Sequence, residues 1–296
     1  MTTEIFILLI LPGGIIDRIM EPFFSVVIPT LNEEKFLPKL LKDLAKQKEK
    51  DFEVVIVDGK STDKTKEVAQ RFSKIFSLKF LDSKKRNVAF QRNLGADSSQ
   101  GRYLVFLDAD TRISSSFLKK IKQKIIKDKG LVFIPYFSPE KKFEEYRILF
   151  DLSNIMVEFS QNINRRFSLG GSMIFEKNFF LLIKGFNEKL FVSEDHELIQ
   201  RVSRWGVKPK FLRNPKIIIC LRRTEREGWL RLFYKYFLST AHRLFKGEIK
   251  EKIYNYEMGG QLYNNKSLKK SIKPMINLKQ VKKLFKKLLK ELEIES

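Results

Sequence analysis

Asp108 and Asp110 stand two residues apart directly after the apolar run 103–107. Two carboxylates so placed can approach one ligand where the backbone turns, one through a divalent ion and one through a hydroxyl. Magnesium and manganese sites are commonly of this open kind, with one or two carboxylates completed by substrate phosphates. A nucleoside diphosphate fits the pattern. The same pair could equally serve as loop and cap residues, because aspartates often follow strands. What strengthens the chemical reading is its neighbours: Thr30 and Asn32 follow the apolar run 25–28, and Asp58 follows 54–57. Further on, Glu194 and Asp195 open a segment of helical period that runs to Trp205. They suit the positive end of a helix dipole, and Asp195 is also a candidate general base toward an acceptor hydroxyl.

These residues need a framework that delivers them to one place. From Phe23 onward, apolar runs of strand length alternate with longer segments of helical period, the pattern of an α/β fold with a mostly parallel sheet and crossover helices. Strands are expected at 25–28, 54–57, 78–81 (edge-like) and 103–107. Asn32 reads as the N-cap of the first helix, with Glu33 and Glu34 in its first turn and Phe36, Leu37, Leu40, Leu41 and Leu44 as its apolar stripe. A second helix follows the Ser61-Thr62-Asp63 cluster, and a third covers 88–96. Past these come a strand at 131–134, a helical stretch at 143–159, Gly170-Gly171 and a short strand at 173–175. Mixed α/β structure is expected to continue to Cys220. In an open parallel sheet, ligands bind beyond the carboxyl ends of the strands, where strand order reverses. Thr30, Asp58, Asp108 and Asp110 all fall at such ends.

The 296 residues carry a formal charge of +23, ten lysines and no acid lying in 266–290. Such a balance attracts anions: nucleic acid, lipid headgroups or phosphorylated substrates. The single cysteine, Cys220, excludes an internal disulfide framework and reads as a packed thiol rather than a nucleophile. No window reaches the length of a membrane-spanning helix. Residues 1–22 read as an N-terminal extension of undetermined role, with a second candidate start at Met20.

Five segments, FSVVIPTLNEE, VIVDGKSTDKT, QRNLGA, GRYLVFLDADTRI, and GGS followed by GFNEKLFVSEDHEL, occur in the order found in family 2 glycosyltransferases of the GT-A fold, which the chain resembles over about residues 23–206. The resemblance implies a Rossmann-like sheet flanked by helices, a UDP- or GDP-sugar donor, and transfer with inversion. By position it implies that Thr30 and Glu33 line the nucleotide pocket and that Asp58 meets the base. Arg92 would lie near the donor, Asp108 at the ribose or phosphate side, and Asp110 on a Mn2+ or Mg2+ ion. Glu194 and Asp195 match the acidic pair whose aspartate is the base. The chain departs from the family pattern at Gly59, where a second acid is common, and at Lys60 and Lys184, where glycine is frequent.

The expected organisation is a catalytic domain at 23–222, with a nucleotide-binding half (23–130) and an acceptor half (131–222). A basic, aromatic-rich helical region at 223–296 follows. Its tail helix either lies on an anionic membrane surface through its lysine face or packs its apolar stripe on the catalytic domain; a cytoplasmic location is expected, peripheral on the membrane in the first case, with a glycan or lipid-linked acceptor. Two alternatives compete with transfer to a hydroxyl: transfer to a polyprenyl phosphate, which needs no base, and nucleic-acid binding by the lysine tail. No RNA-binding signature or zinc finger supports the last. Arg222 and Arg223 are weighed evenly between a phosphate site and surface charge, and Arg201 and Arg204 are read as solvated arginines of an amphipathic helix. His196 is read as structural, though it adjoins the candidate base.

Overall fold

A computed structural model describes residues 21–162, 166, 168, 170–190 and 193–222. The strands are β1 (Phe24–Thr30), β2 (Phe52–Asp58), β3 (Leu78–Asp82), β4 (Tyr103–Phe106), β5 (Thr111–Arg112), β6 (Val132–Pro139), β7 (Ile174–Glu176) and β8 (Lys210–Ile219). The α-helices are α1 (Leu37–Ala45), α2 (Thr65–Gln70), α3 (Val88–Asp97), α4 (Phe117–Asp128), α5 (Arg147–Ser160), α6 (Lys177–Leu182) and α7 (Glu194–Arg204). They flank one eight-stranded sheet in the order β3-β2-β1-β4-β7-β6-β8-β5. The pairings β3-β2, β2-β1, β1-β4 and β6-β8 are parallel, and the other three antiparallel.

Every residue of β1, β2 and β4 is buried, which is why their centres, 26–28, 54–57 and 103–106, read as continuous apolar runs rather than alternating ones. Val26, Ile28, Val54, Ile56 and Val105 face a core filled by α1 and α4. Val27, Leu104 and Phe106 face a second one with Phe175, Phe180 and Leu198. Helix α3 lies so close to β1 and β2 that a Cβ on Gly95 would fall 2.4 Å from Val27 and 3.1 Å from Val57. Glycine is required there by the approach, not by its φ. The register sets the rim: Thr30 sits opposite Asp58, and Leu107 N–H donates to the Val27 carbonyl at 3.1 Å, so Asp108 leaves the sheet beside the end of β1.

Several local expectations change. Asn32 does not cap α1, whose first turn holds no acid. It adopts φ +56° and accepts from Thr62 N–H at 2.7 Å, joining the loops after β1 and β2. The expected helix at 143–159 is a 3-10 turn (Lys141–Tyr146) followed by α5. The two-residue β5 was not foreseen. Arg201 is not solvated: its guanidinium pairs with Glu197, Nε to Oε1 at 3.0 Å, and with the Ile183 carbonyl. Arg204 is exposed as expected. Cys220 is half-buried, and burial pushes its thiol up to about 11, which fits the reading of it as no nucleophile. Among the described residues no helix is long and apolar enough to cross a membrane. The extension at 1–20, Arg223 and the basic region to 296 lie outside the described residues.

Candidate functional site

At the end of β1 and β2, the Thr30 hydroxyl donates to Asp58 Oδ1 at 2.8 Å. Ser61 donates to the same carboxylate twice, from its hydroxyl (2.6 Å) and its backbone N–H (2.7 Å). Gln91, reaching from α3, donates to the carbonyls of Thr30 (2.9 Å) and Val57 (2.7 Å). Asp58 thus fastens the two strand ends, and its buried oxygens are engaged inside the loop.

Asp108 and Asp110 occupy the turn between β4 and β5, which closes as Thr111 donates its N–H (3.0 Å) and hydroxyl (2.8 Å) to the Asp108 carbonyl. Each aspartate meets its own arginine. Arg92, on α3, donates to Asp108 at 2.7 Å and to Glu194 at 2.8 Å. Its guanidinium lies 5.2 Å from the Phe186 ring centroid and against Gly171, where a Cβ would fall 2.1 Å from a terminal nitrogen. Arg222 sits just past β8. It grips Glu33 with two bonds of 2.7 Å each, reaches Asp110 at 3.0 Å and covers the Phe36 ring at 4.4 Å. Antiparallel pairing of β5 with β8, Thr111 opposite Ile219, brings Arg222 to Asp110 across the rim.

Glu194 and Asp195 open α7, after Ser193 at φ +70°. Asp195 is buried and meets His196 Nδ1 at 3.1 Å. Burial works to raise its pKa, but the His196 charge and hydrogen bonds, with help from Arg92, outweigh it and hold the carboxyl below the ordinary aspartate range. Glu194 goes the other way: burial, with the Asp195 charge added, lifts it above the ordinary range despite Arg92. Glu33 is pushed up to about 7, first by burial; Arg222 opposes the rise, and the charges of Asp110 and Asp108 add to it. Its partner Arg222 is raised as well, since Glu33 and Asp110 overcome the effect of burial. The two shifts pull the pair in opposite directions. The fork of two 2.7 Å bonds is the geometry of an ionised carboxylate with a guanidinium, so the burial of Glu33 is the cost that this pairing offsets.

The eight residues singled out in the sequence fall into three groups: Thr30 with Asp58, Glu33 with Asp110 through Arg222, and Asp108 with Glu194 through Arg92, Asp195 following Glu194 on α7. Three participants were missed or undervalued: Gln91, His196 as the partner of Asp195, and Arg222. For Arg222 the signal was its position just past an apolar strand. Among the described residues no group of three His, Cys, Asp or Glu side chains forms a closed metal cage. Asp108 and Asp110, two carboxylates in one turn, have the hard-oxygen chemistry of an open divalent-cation site that substrate phosphates would complete.

A family model described as "Glycosyl transferase family 2" matches residues 25–190. Poly(ribitol-phosphate) beta-N-acetylglucosaminyltransferase TarS of Staphylococcus aureus is 36% identical over 100 residues, 32% of this chain and 18% of that protein. The chain thus spans less than a fifth of that relative's length. The solved structure of S. aureus TarS 1-349 in complex with UDP-GlcNAc superposes with a TM-score of 0.57 at 20% identity, covering 75% of this chain and 73% of that one. The mannosyltransferase PcManGT from Pyrobaculum calidifontis, in complex with GDP-Man and Mn2+, gives 0.57 at 18% identity over 74% of this chain and 65% of that one. At these identities the two structures establish a shared fold.

Proposed function

Since the chain belongs to glycosyl transferase family 2, we propose that it transfers a sugar from a nucleoside-diphosphate sugar to an acceptor hydroxyl, with inversion at the anomeric carbon. The observation that carries this reading is the meeting of two acidic groups through Arg92: Asp108 from the donor-side turn and Glu194, beside Asp195, from α7. One guanidinium holds a donor edge and a base edge in fixed relation, which is what a single displacement at one carbon requires. Asp195, held ionised by His196, accepts the proton of the acceptor hydroxyl. The new bond forms between the acceptor oxygen and the anomeric carbon as the bond to the diphosphate breaks, and the nucleoside diphosphate leaves.

Asp110, with Asp108 beside it, would hold a Mn2+ or Mg2+ ion, which when bound supplies Lewis-acid neutralisation of the leaving diphosphate. Thr30, Glu33 and Asp58 form the nucleotide edge of the pocket; given its internal hydrogen bonds, Asp58 contributes mainly by shaping that edge. Residues 23–222 are the catalytic unit in this reading. UDP- and GDP-sugars are the donor candidates, since the similar TarS and PcManGT structures hold UDP-GlcNAc and GDP-Man, and a glycan or lipid-linked acceptor, a cytoplasmic site and attachment to an anionic membrane through residues 223–296 complete it. A panel of UDP- and GDP-sugars, assayed for nucleoside diphosphate release with Mn2+ or Mg2+, tests the proposal. One donor should be turned over in an acceptor-dependent way; undiminished turnover by Asp110→Ala would contradict the metal assignment.

A further inference from the structure

We infer that Arg222 is a donor-binding residue that shifts between two anions, Asp110 when the pocket is empty and the donor diphosphate when it is filled; the inference rests on the transferase reading above. Arg222 is no surface charge, because its side chain is 8% exposed and enters the rim over Phe36. Its contacts are unequal. Glu33 holds it with two parallel bonds of 2.7 Å, whereas Asp110 meets it at one 3.0 Å contact. The Glu33 fork and the Phe36 ring fix the plane of the guanidinium. The Asp110 side is the weaker contact, and it belongs to the residue proposed to turn toward a divalent ion. Were Asp110 to turn to such an ion, Arg222 would be left to accept the diphosphate, whose oxygens suit an arginine fork as a carboxylate does. Burial in a site of low dielectric strengthens that exchange. Two carboxylates on one buried guanidinium, one gripped and one touched, make a seat with an exchangeable second partner.

Binding of UDP and GDP, with uridine and guanosine as controls, separates this from a structural role. In isothermal titration of the full chain with Mn2+, Arg222→Gln should weaken the preferred nucleoside diphosphate by about tenfold or more and leave its nucleoside within about twofold. Arg222→Lys should recover part of the loss. Equal loss for nucleoside and diphosphate, or no loss for either, would overturn the inference. Because Arg222→Gln strands Glu33 and puts folding at risk, Asp110→Asn offers a second route. In chelator it removes a competitor for Arg222, so metal-free diphosphate affinity should rise several-fold, and the rise should shrink in Arg222→Lys. A rise of the same size in both backgrounds would mean that Asp110 only repels phosphate, and the inference fails. If the wild-type chain binds neither diphosphate, the donor reading itself fails.

Discussion

Arg92 and Arg222 bring the same charge to the same rim but are held differently. Arg92 is set in the middle of α3, its side chain 4% exposed, wedged between Phe186 and the backbone at Gly171, with two short bonds to Asp108 and Glu194. Arg222 lies beyond the last described strand, and of the two carboxylates it meets it grips Glu33 with two bonds and Asp110 with a longer contact. A guanidinium packed on all sides keeps its partners at fixed separation. One with a looser second contact can trade that contact. Two ion-pair nodes of similar composition thus divide the work between holding the geometry and taking up a ligand.

The largest effect expected from this contrast falls on stability. Arg92→Ala leaves Asp108 and the buried Glu194 without their cation and should cost about 3–5 kcal/mol, the range for breaking a buried pair. Arg222→Gln should cost less, because Glu33, already pushed up to about 7, can take a proton instead. The sign is definite: a carboxyl whose folded pKa exceeds its unfolded value binds more protons when folded, so its contribution falls as pH rises from about 4.5 toward 7. Denaturant titration at pH 6 and pH 8 should therefore find the Arg222→Gln penalty smaller at pH 6, and a larger share of the Arg92→Ala penalty left at pH 6, since Arg92 serves Asp108 as well as Glu194. Equal penalties at both pH values would erase the distinction.

Gly171→Ala comes next. Its Cβ would collide with the held guanidinium of Arg92, and a cost of about 1–3 kcal/mol is expected, with loss of activity. A neutral result would mean that Arg92 moves freely. His196→Gln should leave stability nearly unchanged and shift the acid limb of the kcat/KM profile to higher pH, because His196 is the main influence holding Asp195 low. A profile that does not move would return His196 to a structural role.

The smallest effect concerns two departures from the family pattern. Lys60 and Lys184 replace frequent glycines, and both adopt positive φ, +65° and +64°. A side chain there is strained by roughly 1 kcal/mol, partly offset by the larger unfolded-state entropy of glycine. Lys184→Gly should raise stability by under about 1 kcal/mol, read as a small increase in Tm. A decrease would mean that the lysine side chain contributes more than its backbone costs.

The half of the fold up to Phe106 was readable because β1, β2 and β4 are buried on both faces and so their centres appear as continuous apolar runs. The rim residues there could be read too, since Thr30 and Asp58 end their strands in register and Asp108 follows β4 by two positions. The later half resisted for physical reasons. A strand as short as β5 has no period to detect, yet its pairing with β8 decides where Arg222 goes. The Arg222–Glu33 bond joins positions 189 residues apart, and nothing local announces it. Asn32 was misread because its side chain can cap a helix or, at φ +56°, bridge to a neighbouring loop, and sequence does not distinguish these uses. Arg201 was misread because its i,i+4 partner Glu197 was visible but its burial against Ile183 was not.

In the proposed transfer Asp195 serves as the base at one end of a rim whose other end holds a nucleotide donor. Comparing the wild-type chain with Asp195→Asn, for both donor turnover and nucleoside diphosphate affinity, tests it most directly. Turnover should fall by about 10²- to 10⁴-fold while affinity stays within about twofold. Retained turnover by Asp195→Asn would contradict the hydroxyl acceptor and point to one already anionic, such as a polyprenyl phosphate.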